Sequence, residues 1–166
     1  IGGAFTSRQR EIYEMVLRAQ ETAISAIKPG VPYKDVHLLA ARSFATDLKA
    51  AGLMKGDVDE AVAAGAHALF FPHGLGHMLG MDVHDMENLS EQFVGYDDSV
   101  TRSTQFGLGY LRLARKLEPW FVLTVEPGLY FIPALIDQWK AAQTCAAFIN
   151  YDTVEQYRDA RGYRIE

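Results

Sequence analysis

The stretch that most constrains this chain is residues 70–85, where histidines and glycines follow an apolar run. Three of the five histidines in the 166-residue chain, His73, His77 and His84, fall within twelve residues of one another. Histidine is the commonest metal ligand and exchanges protons near neutral pH. Glycines between such side chains let the backbone bend and approach a bound group closely. The stretch therefore predicts a functional site.

The composition is that of one folded domain of ordinary size. Hydrophobic residues make up 49% of the chain and charged residues 22%, which is enough apolar material for a core. The net charge of −5 argues against a nucleic-acid partner, because phosphate binding needs a basic face. No apolar run approaches the roughly 20 residues that cross a bilayer, so no membrane partner is expected.

The single cysteine and the two ends of the sequence give three further expectations. Cys145 has no second cysteine to pair with, which suits a reducing compartment, and a cytoplasmic location is expected. Residues 1–5 read as a turn and residues 164–166 as part of a strand. The chain is therefore expected to be a fragment of a longer protein.

Apolar spacing predicts three helices. The first begins near Arg8 behind a Thr6 or Ser7 cap and ends at Lys28-Pro29-Gly30. The second begins at Pro32 and Tyr33 and stops at Gly52, and the third covers residues 133–147. His37 in the second helix is expected to be a surface or packing residue. The acidic residues Asp57, Asp59 and Glu60 are expected to stabilise a helix start rather than to bind a metal.

Short apolar runs predict strands, and one polar stretch predicts a loop. Strands are expected at residues 66–71, 121–125, 129–132 and 162–166. His67 falls in the first of these, where a packing role is expected. Residues 88–106 are polar and lack periodicity, which predicts a long surface loop.

The spacing of His73 and His77 admits a zinc-protease interpretation, which the residues between them disfavour. An i, i+4 pair on a helix occurs in the motif His-Glu-x-x-His. Here Gly-Leu-Gly intervenes, no glutamate follows the first histidine, and two glycines in four positions disfavour a helix. A loop or strand end that gives the two histidines different roles fits better.

Two carboxylates add the remaining donors of a candidate metal site. Glu126 lies between an apolar run and Pro127-Gly128, and Glu166 ends the last predicted strand. One histidine with two glutamates suits Mn²⁺, Co²⁺, Fe²⁺ or Zn²⁺. Two such ions bridged by carboxylates can share and activate a hydroxide for hydrolysis.

Four motifs in one order give the chain a specific resemblance. They are His73–His77 (His-Gly-Leu-Gly-His), Asp82–Asp85 (Asp-Val-His-Asp), Thr124–Gly128 (Thr-Val-Glu-Pro-Gly) and Arg164–Glu166 (Arg-Ile-Glu). Together they resemble the proline-specific branch of the pita-bread metallopeptidases, family M24, which contains Xaa-Pro dipeptidase (prolidase) and aminopeptidase P. The resemblance implies an α+β fold in which helices cover a curved antiparallel sheet. It also implies a hydrolase acting on proline-containing di- or oligopeptides, and members that often form homodimers.

The resemblance also assigns roles to individual residues. It implies two divalent ions, with manganese expected first, held by His77, Glu126 and Glu166, of which Glu166 bridges. His73 and His84 match histidines that bind the substrate and stabilise developing charge. Glu126 is also expected to move a proton to the leaving amine.

Two arginines complete the expected site. Arg112 matches the prolidase arginine that binds the free carboxylate of the C-terminal proline, for which a guanidinium fork is suited. Arg164 is expected to orient the metal-site carboxylates. Forty residues separate Glu126 from Glu166, which resembles prolidase more than the short bacterial aminopeptidase P type.

The sequence also departs from the family pattern. The family's two aspartate ligands lie upstream of the first residue, so residues 1–166 are expected to form one incomplete catalytic domain, inactive alone. Pro119-Trp120 stands where the family usually has Pro-Gly. Two other interpretations stay open at this point: a metal-free peptide- or protein-binding module, and a creatinase-like hydrolase without metal. The retained glutamates argue against both.

Overall fold

The computed structural model describes residues 3–166, which form a helix-rich α+β structure with one small antiparallel sheet. In chain order the helices and strands are α1 (Ser7–Ala26), α2 (Tyr33–Ala50), α3 (Val58–Ala63), α4 (Gln92–Gly95), β1 (Gly128–Tyr130), α5 (Pro133–Ala142), α6 (Tyr151–Glu155) and β2 (Gly162–Arg164). Two short 3₁₀ helices, Ala66–Leu69 and Leu108–Tyr110, lie between α3 and β1. Among these helices none is both long enough and apolar enough to traverse a membrane.

The first two helices match their prediction and pack against each other over the core. The Thr6 hydroxyl accepts from the Gln9 N–H, and the Gln9 side chain accepts from the Thr6 N–H, so a capping box starts α1. The N–H and C=O groups left over at helix ends need such partners. The buried face of α1 meets that of α2, which includes Phe44 and Leu48 at 0% exposure. This pair forms the base on which the candidate site is built.

The predicted strand at residues 66–71 is wrong. Residues Ala66–Leu69 form a 3₁₀ helix that follows Gly65, whose φ is +79°. Local hydrogen bonds from the N–H groups of Phe70 and Phe71 to the His67 carbonyl continue the turn. The run is buried as expected, but a short buried apolar run fits a helical turn as well as a strand.

The two strands near the C-terminus are confirmed in shorter form. β1 pairs with β2 in antiparallel register, with Gly128 opposite Arg164 and Tyr130 opposite Gly162. The predicted strand at 121–125 is present only as a single bridge between Leu123 and Met78. The predicted 133–147 helix ends at Ala142, because Gln143 adopts the left-handed conformation with φ +53°.

The remaining predictions for the first half also have clear outcomes. Asp57 caps α3 by accepting from the Glu60 N–H at 3.0 Å, and Asp59 lies in the first turn. These acidic residues therefore serve a helix start, as expected. His37 and His67 are both fully buried, each at 0% exposure. The predicted loop at 88–106 contains only the one-turn helix α4.

Candidate active site

Two paired segments, 75–79 and 122–126, hold the central side chains of the candidate site. They run antiparallel: the Glu126 N–H donates to the Leu75 carbonyl at 2.7 Å and the Thr124 N–H to the His77 carbonyl at 3.0 Å. The Thr124 hydroxyl also accepts from the His77 N–H at 3.1 Å. Side chains alternate between the faces of such a pair, which brings His77 and Glu126 to the same face.

Gly76 makes this close pairing possible. A Cβ atom at this position would overlap the Thr124 carbonyl and lie 2.8 Å from the Tyr33 hydroxyl. That hydroxyl donates to the same carbonyl at 2.6 Å. Burial, with the nearby charge of Glu126, raises the pKa of Tyr33 far above its usual value. Tyr33 therefore stays protonated and fixes the paired segments to the start of α2.

His77 and Glu126 face each other at 2.9 Å, measured from Nε2 to Oε1. The His77 Nδ1 lies 2.9 Å from the Met78 carbonyl, which can only accept, so Nδ1 carries a proton. In the neutral ring Nε2 is then an acceptor, like the carboxylate oxygen beside it. Two acceptors at this distance need a positive charge, either a proton on Nε2 or a shared cation. Both side chains are at most 13% exposed.

Arg164 supplies a positive charge on the other side of Glu126. Its Nη2 lies 2.8 Å from Glu126 Oε2, and it also contacts Glu166, to which Nε donates at 2.7 Å. Glu166 is thus linked to Glu126 through one guanidinium. β2, which carries Arg164, is positioned by its pairing with β1 directly after Glu126.

His73 is held in place as a neutral ring. Its Nδ1 donates to the Gly74 carbonyl at 2.7 Å and its Nε2 accepts from the Tyr130 hydroxyl at 3.1 Å. Burial lowers the pKa of His73, outweighing the Gly74 hydrogen bond that raises it. The ring therefore offers no charge of its own at neutral pH.

His84 and Arg112 line the same cleft. The His84 ring meets the His77 ring edge to face, with centroids 4.3 Å apart, and its Nδ1 donates to Glu87 Oε2 at 2.7 Å. Arg112 binds two carboxylates, those of Glu87 and Glu91, each at 2.6 Å.

One cleft of about 140 Å³ collects six of the seven predicted site residues. Glu166 instead lines a neighbouring cleft, with Glu126 common to the two. The lining residues of the first cleft are His73, Gly74, Gly76, His77, His84, Tyr110, Arg112, Glu126 and Arg164.

Some residues of the site were not predicted. Tyr130 holds His73, and its place four residues after Glu126 in a strand-like run is the signal that sequence reasoning had available. Glu87 and Glu91 bind Arg112 but belong to no motif, so nothing in the sequence pointed to them.

The donor set fits a divalent cation, although it is incomplete. An ion with bonds of roughly 2.1 Å at right angles places its ligand atoms about 3 Å apart, close to the 2.9 Å between His77 Nε2 and Glu126 Oε1. Within residues 3–166, however, no three His, Cys, Asp or Glu side chains lie close enough together to surround one ion.

The relatives found by sequence comparison are Xaa-Pro peptidases, the class of protein that the four motifs resemble. The Xaa-Pro dipeptidase of Rattus norvegicus is 46% identical over 164 residues, covering 99% of this chain and 32% of the rat protein. A probable Xaa-Pro aminopeptidase of Sordaria macrospora is 40% identical over 166 residues, covering all of this chain and 34% of that protein. The chain thus spans about a third of the length of these relatives.

A solved structure shows the same fold. Zinc-substituted Escherichia coli aminopeptidase P, in complex with product, superposes with a TM-score of 0.66 at 38% identity. The match covers 99% of this chain and 29% of that one, and it confirms an incomplete α+β pita-bread fold. The family model for metallopeptidase family M24 matches residues 1–166 throughout. Since this match covers the whole chain, and His73, His77 and His84 share one cleft with Glu126, the chain belongs to metallopeptidase family M24.

Proposed function

We propose that this chain is part of the catalytic domain of a metal-dependent peptidase that hydrolyses Xaa-Pro bonds. The preferred activity is that of an Xaa-Pro dipeptidase. The observation that carries the proposal is the facing pair of acceptors, His77 Nε2 and Glu126 Oε1, in one cleft with His73, His84 and Arg112. The relatives named as an Xaa-Pro dipeptidase and a probable Xaa-Pro aminopeptidase support it.

Two divalent ions would be held, among the residues of this chain, by His77, Glu126 and Glu166. Manganese is the preferred metal, and cobalt, zinc and iron are the alternatives. A bound ion supplies an activated water nucleophile and polarises the scissile carbonyl. Arg164 orients the two carboxylates, since it contacts both.

The other residues act on the peptide. His73 and His84 bind the region of the scissile carbonyl, and a ring N–H aimed there stabilises charge that develops on its oxygen. Glu126 would take a proton from the attacking water and pass it to the leaving proline nitrogen. Arg112 binds the free carboxylate of the C-terminal proline, which confines cleavage to dipeptides.

Two further parts of the proposal concern the setting of the protein. A single cysteine, Cys145, fits the reducing cytoplasm. The active form is proposed to be a homodimer, on the resemblance to the family.

One assay tests the activity. The protein at its full natural length, loaded with Mn²⁺, is given Gly-Pro and a longer Xaa-Pro peptide, and cleavage and bound metal are measured. Cleavage of the dipeptide alone selects the dipeptidase, and release of the residue before proline from the longer peptide selects an aminopeptidase P. Absence of both cleavage and bound metal would overturn the proposal.

A second candidate is a metal-free peptide-binding module. It is favoured by Arg164, whose guanidinium contacts both Glu126 and Glu166 and offsets part of their charge without an ion. Peptide binding that is unchanged by Mn²⁺ and accompanied by no cleavage would select it.

A further inference from the structure

Arg112 already binds two carboxylates of its own chain. Its Nη2 lies 2.6 Å from Glu87 Oε1 and its Nη1 lies 2.6 Å from Glu91 Oε2. These two terminal nitrogens form the fork with which arginine grips a carboxylate. A carboxylate that approaches these two nitrogens must compete with the two glutamates for their N–H donors.

The two glutamates are not equivalent. Glu91 is shared with a second cation, because Arg102 Nη2 lies 3.3 Å from its Oε1, and it precedes the turn of α4. Glu87 instead contacts two residues that line the site cleft: its Oε2 accepts from His84 Nδ1 at 2.7 Å while its Oε1 binds Arg112. Glu91 is therefore shared between two arginines, and Glu87 is the glutamate that also contacts a histidine of the cleft.

The two groups that Glu87 joins, His84 and Arg112, both line the cleft that also contains His73. The hydrogen bond from His84, followed by that from Arg112, holds the pKa of Glu87 below its usual value, so the side chain is an anion at neutral pH. A carboxylate held between an imidazole and a guanidinium has the same chemistry as the C-terminus of a bound peptide.

We propose that Glu87 occupies the position of the substrate's C-terminal carboxylate and competes with it for Arg112 and His84. The inference rests on the proposed function, which assigns substrate binding to those two residues. Glu87 is then a specificity-determining residue: it weakens the binding of peptides with a free C-terminal carboxylate and leaves peptides with a neutral end unaffected.

Two features of the segment around Glu87 favour displacement of the Glu87 side chain by a competing carboxylate. Its side chain is 40% exposed, and three non-glycine residues beside it have positive φ: Met86 at 56°, Asn88 at 61° and Ser90 at 80°. Such conformations store backbone strain that other contacts must offset. The ion pairs of Glu87 and Glu91 with Arg112 link this segment to the rest of the protein.

Calorimetry on the metal-free protein at its full natural length tests the inference without relying on catalysis. Gly-Pro and its C-terminal amide are titrated into wild type, Glu87→Gln and Glu118→Gln. Glu118 serves as the matched control, because it pairs with Arg115 at 2.7 Å on the exposed surface outside the cleft.

Glu87→Gln is expected to bind Gly-Pro on the order of tenfold more tightly than wild type, since one charge-assisted competitor is removed. The amide should bind all three proteins equally, and Glu118→Gln should match wild type with both ligands. Unchanged or weaker binding of Gly-Pro by Glu87→Gln, or an equal gain for the amide, would overturn the inference.

The assay of Xaa-Pro cleavage separates this failure from failure of the proposed function. If wild type cleaves Gly-Pro but Glu87→Gln binds Gly-Pro no more tightly than wild type, only the role of Glu87 is refuted. Wild type that neither cleaves nor binds Gly-Pro refutes both.

Discussion

At the scale of single residues, the candidate site depends on proton positions that the backbone fixes. The Met78 carbonyl sets the proton of His77 on Nδ1, and the Gly74 carbonyl does the same for His73. His77 consequently presents a lone pair to Glu126, while His73 presents one to the Tyr130 hydroxyl. The two histidines of one motif thus have different environments, as their Gly-Leu-Gly spacing predicted.

Glu126→Gln should weaken Mn²⁺ binding by the full-length protein, by on the order of a hundredfold. The substitution keeps the shape but replaces an anionic oxygen ligand with an amide, which divalent cations bind poorly. Metal content after dialysis against defined free Mn²⁺ measures the effect.

Glu118→Gln, an exposed glutamate paired with Arg115, is the matched control and should retain wild-type metal content. An equal loss in both variants would point to net charge rather than to a ligand role for Glu126.

Trp120→Gly should stabilise the folded protein by up to about 1 kcal/mol. Trp120 has φ +74° and is 97% exposed. The left-handed backbone conformation destabilises the folded state, and the indole buries almost no apolar surface to offset this. Relief of that cost, roughly 1–2 kcal/mol, exceeds the entropic cost of glycine, roughly 0.5–1 kcal/mol. Urea unfolding followed by fluorescence gives the difference.

Val122→Gly is the comparison for Trp120→Gly. Val122 is also exposed, at 60%, and its φ is not positive, so glycine there should destabilise. A loss of stability in Trp120→Gly as well would mean that the indole makes contacts that matter. Trp120 thus adopts the left-handed backbone conformation that glycine would adopt more readily at this position.

At the scale of elements, the sequence predicted which segments converge better than which conformation they adopt. The apolar run at 121–125 does align beside residues 75–79, but His77 donates to the Thr124 side chain instead of its backbone, which interrupts regular strand pairing. The run at 66–71 was predicted as a strand because burial on all sides removes the periodicity that tells helix from strand. Long amphipathic helices, α1 and α2, carry that periodicity and were predicted correctly.

Gly76→Ala should disrupt the pairing that holds the site together. The added Cβ overlaps the Thr124 carbonyl and approaches the Tyr33 hydroxyl, so the two segments must separate. We expect a loss of more than about 2 kcal/mol of stability, as for overpacking against rigid backbone, and loss of Mn²⁺ binding. Urea unfolding and metal content measure the two effects.

Gly109→Ala provides the matched control for Gly76→Ala. Its added Cβ would lie 3.2 Å from one Ser103 carbonyl oxygen, so a small local shift accommodates it. Similar losses in the two variants would contradict a special role for the close approach at Gly76.

At the scale of the whole molecule, the core and the site are joined through stacked rings. His37 stacks on Phe71 with centroids 5.0 Å apart, and Phe71 meets His73 edge on at 5.0 Å. The sequence predicted a surface or packing role for His37 and a packing role for His67, but not that both would be fully buried with ring centroids 6.3 Å apart. Helix periodicity assigns a face, whereas the burial of a polar residue depends on which element covers that face.

These two histidines should make the stability of the protein fall steeply in mild acid. In the part of the chain that the structure describes, none of their four ring nitrogens has a hydrogen-bond partner. Burial lowers the pKa of His67 to about 4, and burial with the charges of His67 and His73 lowers the pKa of His37 to about 3.

The direction of the pH effect follows from the unfolded chain, where both histidines titrate near 6.5. Below pH 6.5 the unfolded state takes up protons that the folded state refuses, so unfolding becomes more favourable as pH falls. Full stability is present above pH 6.5. By pH 5 each histidine should have removed about 2 kcal/mol, and the loss should continue toward the folded pKa values of about 3 and about 4.

Urea unfolding between pH 8 and pH 5 tests this expectation, with His67→Leu as the variant and Phe44→Leu as the control. His67→Leu removes one titrating group and the charge that opposes His37, so its stability should fall by about half as much over the range. Phe44, which packs edge on against Phe71, is buried but does not titrate. Phe44→Leu should therefore lower stability equally at every pH, and a slope in His67→Leu as steep as in wild type would mean that other groups cause the acid sensitivity.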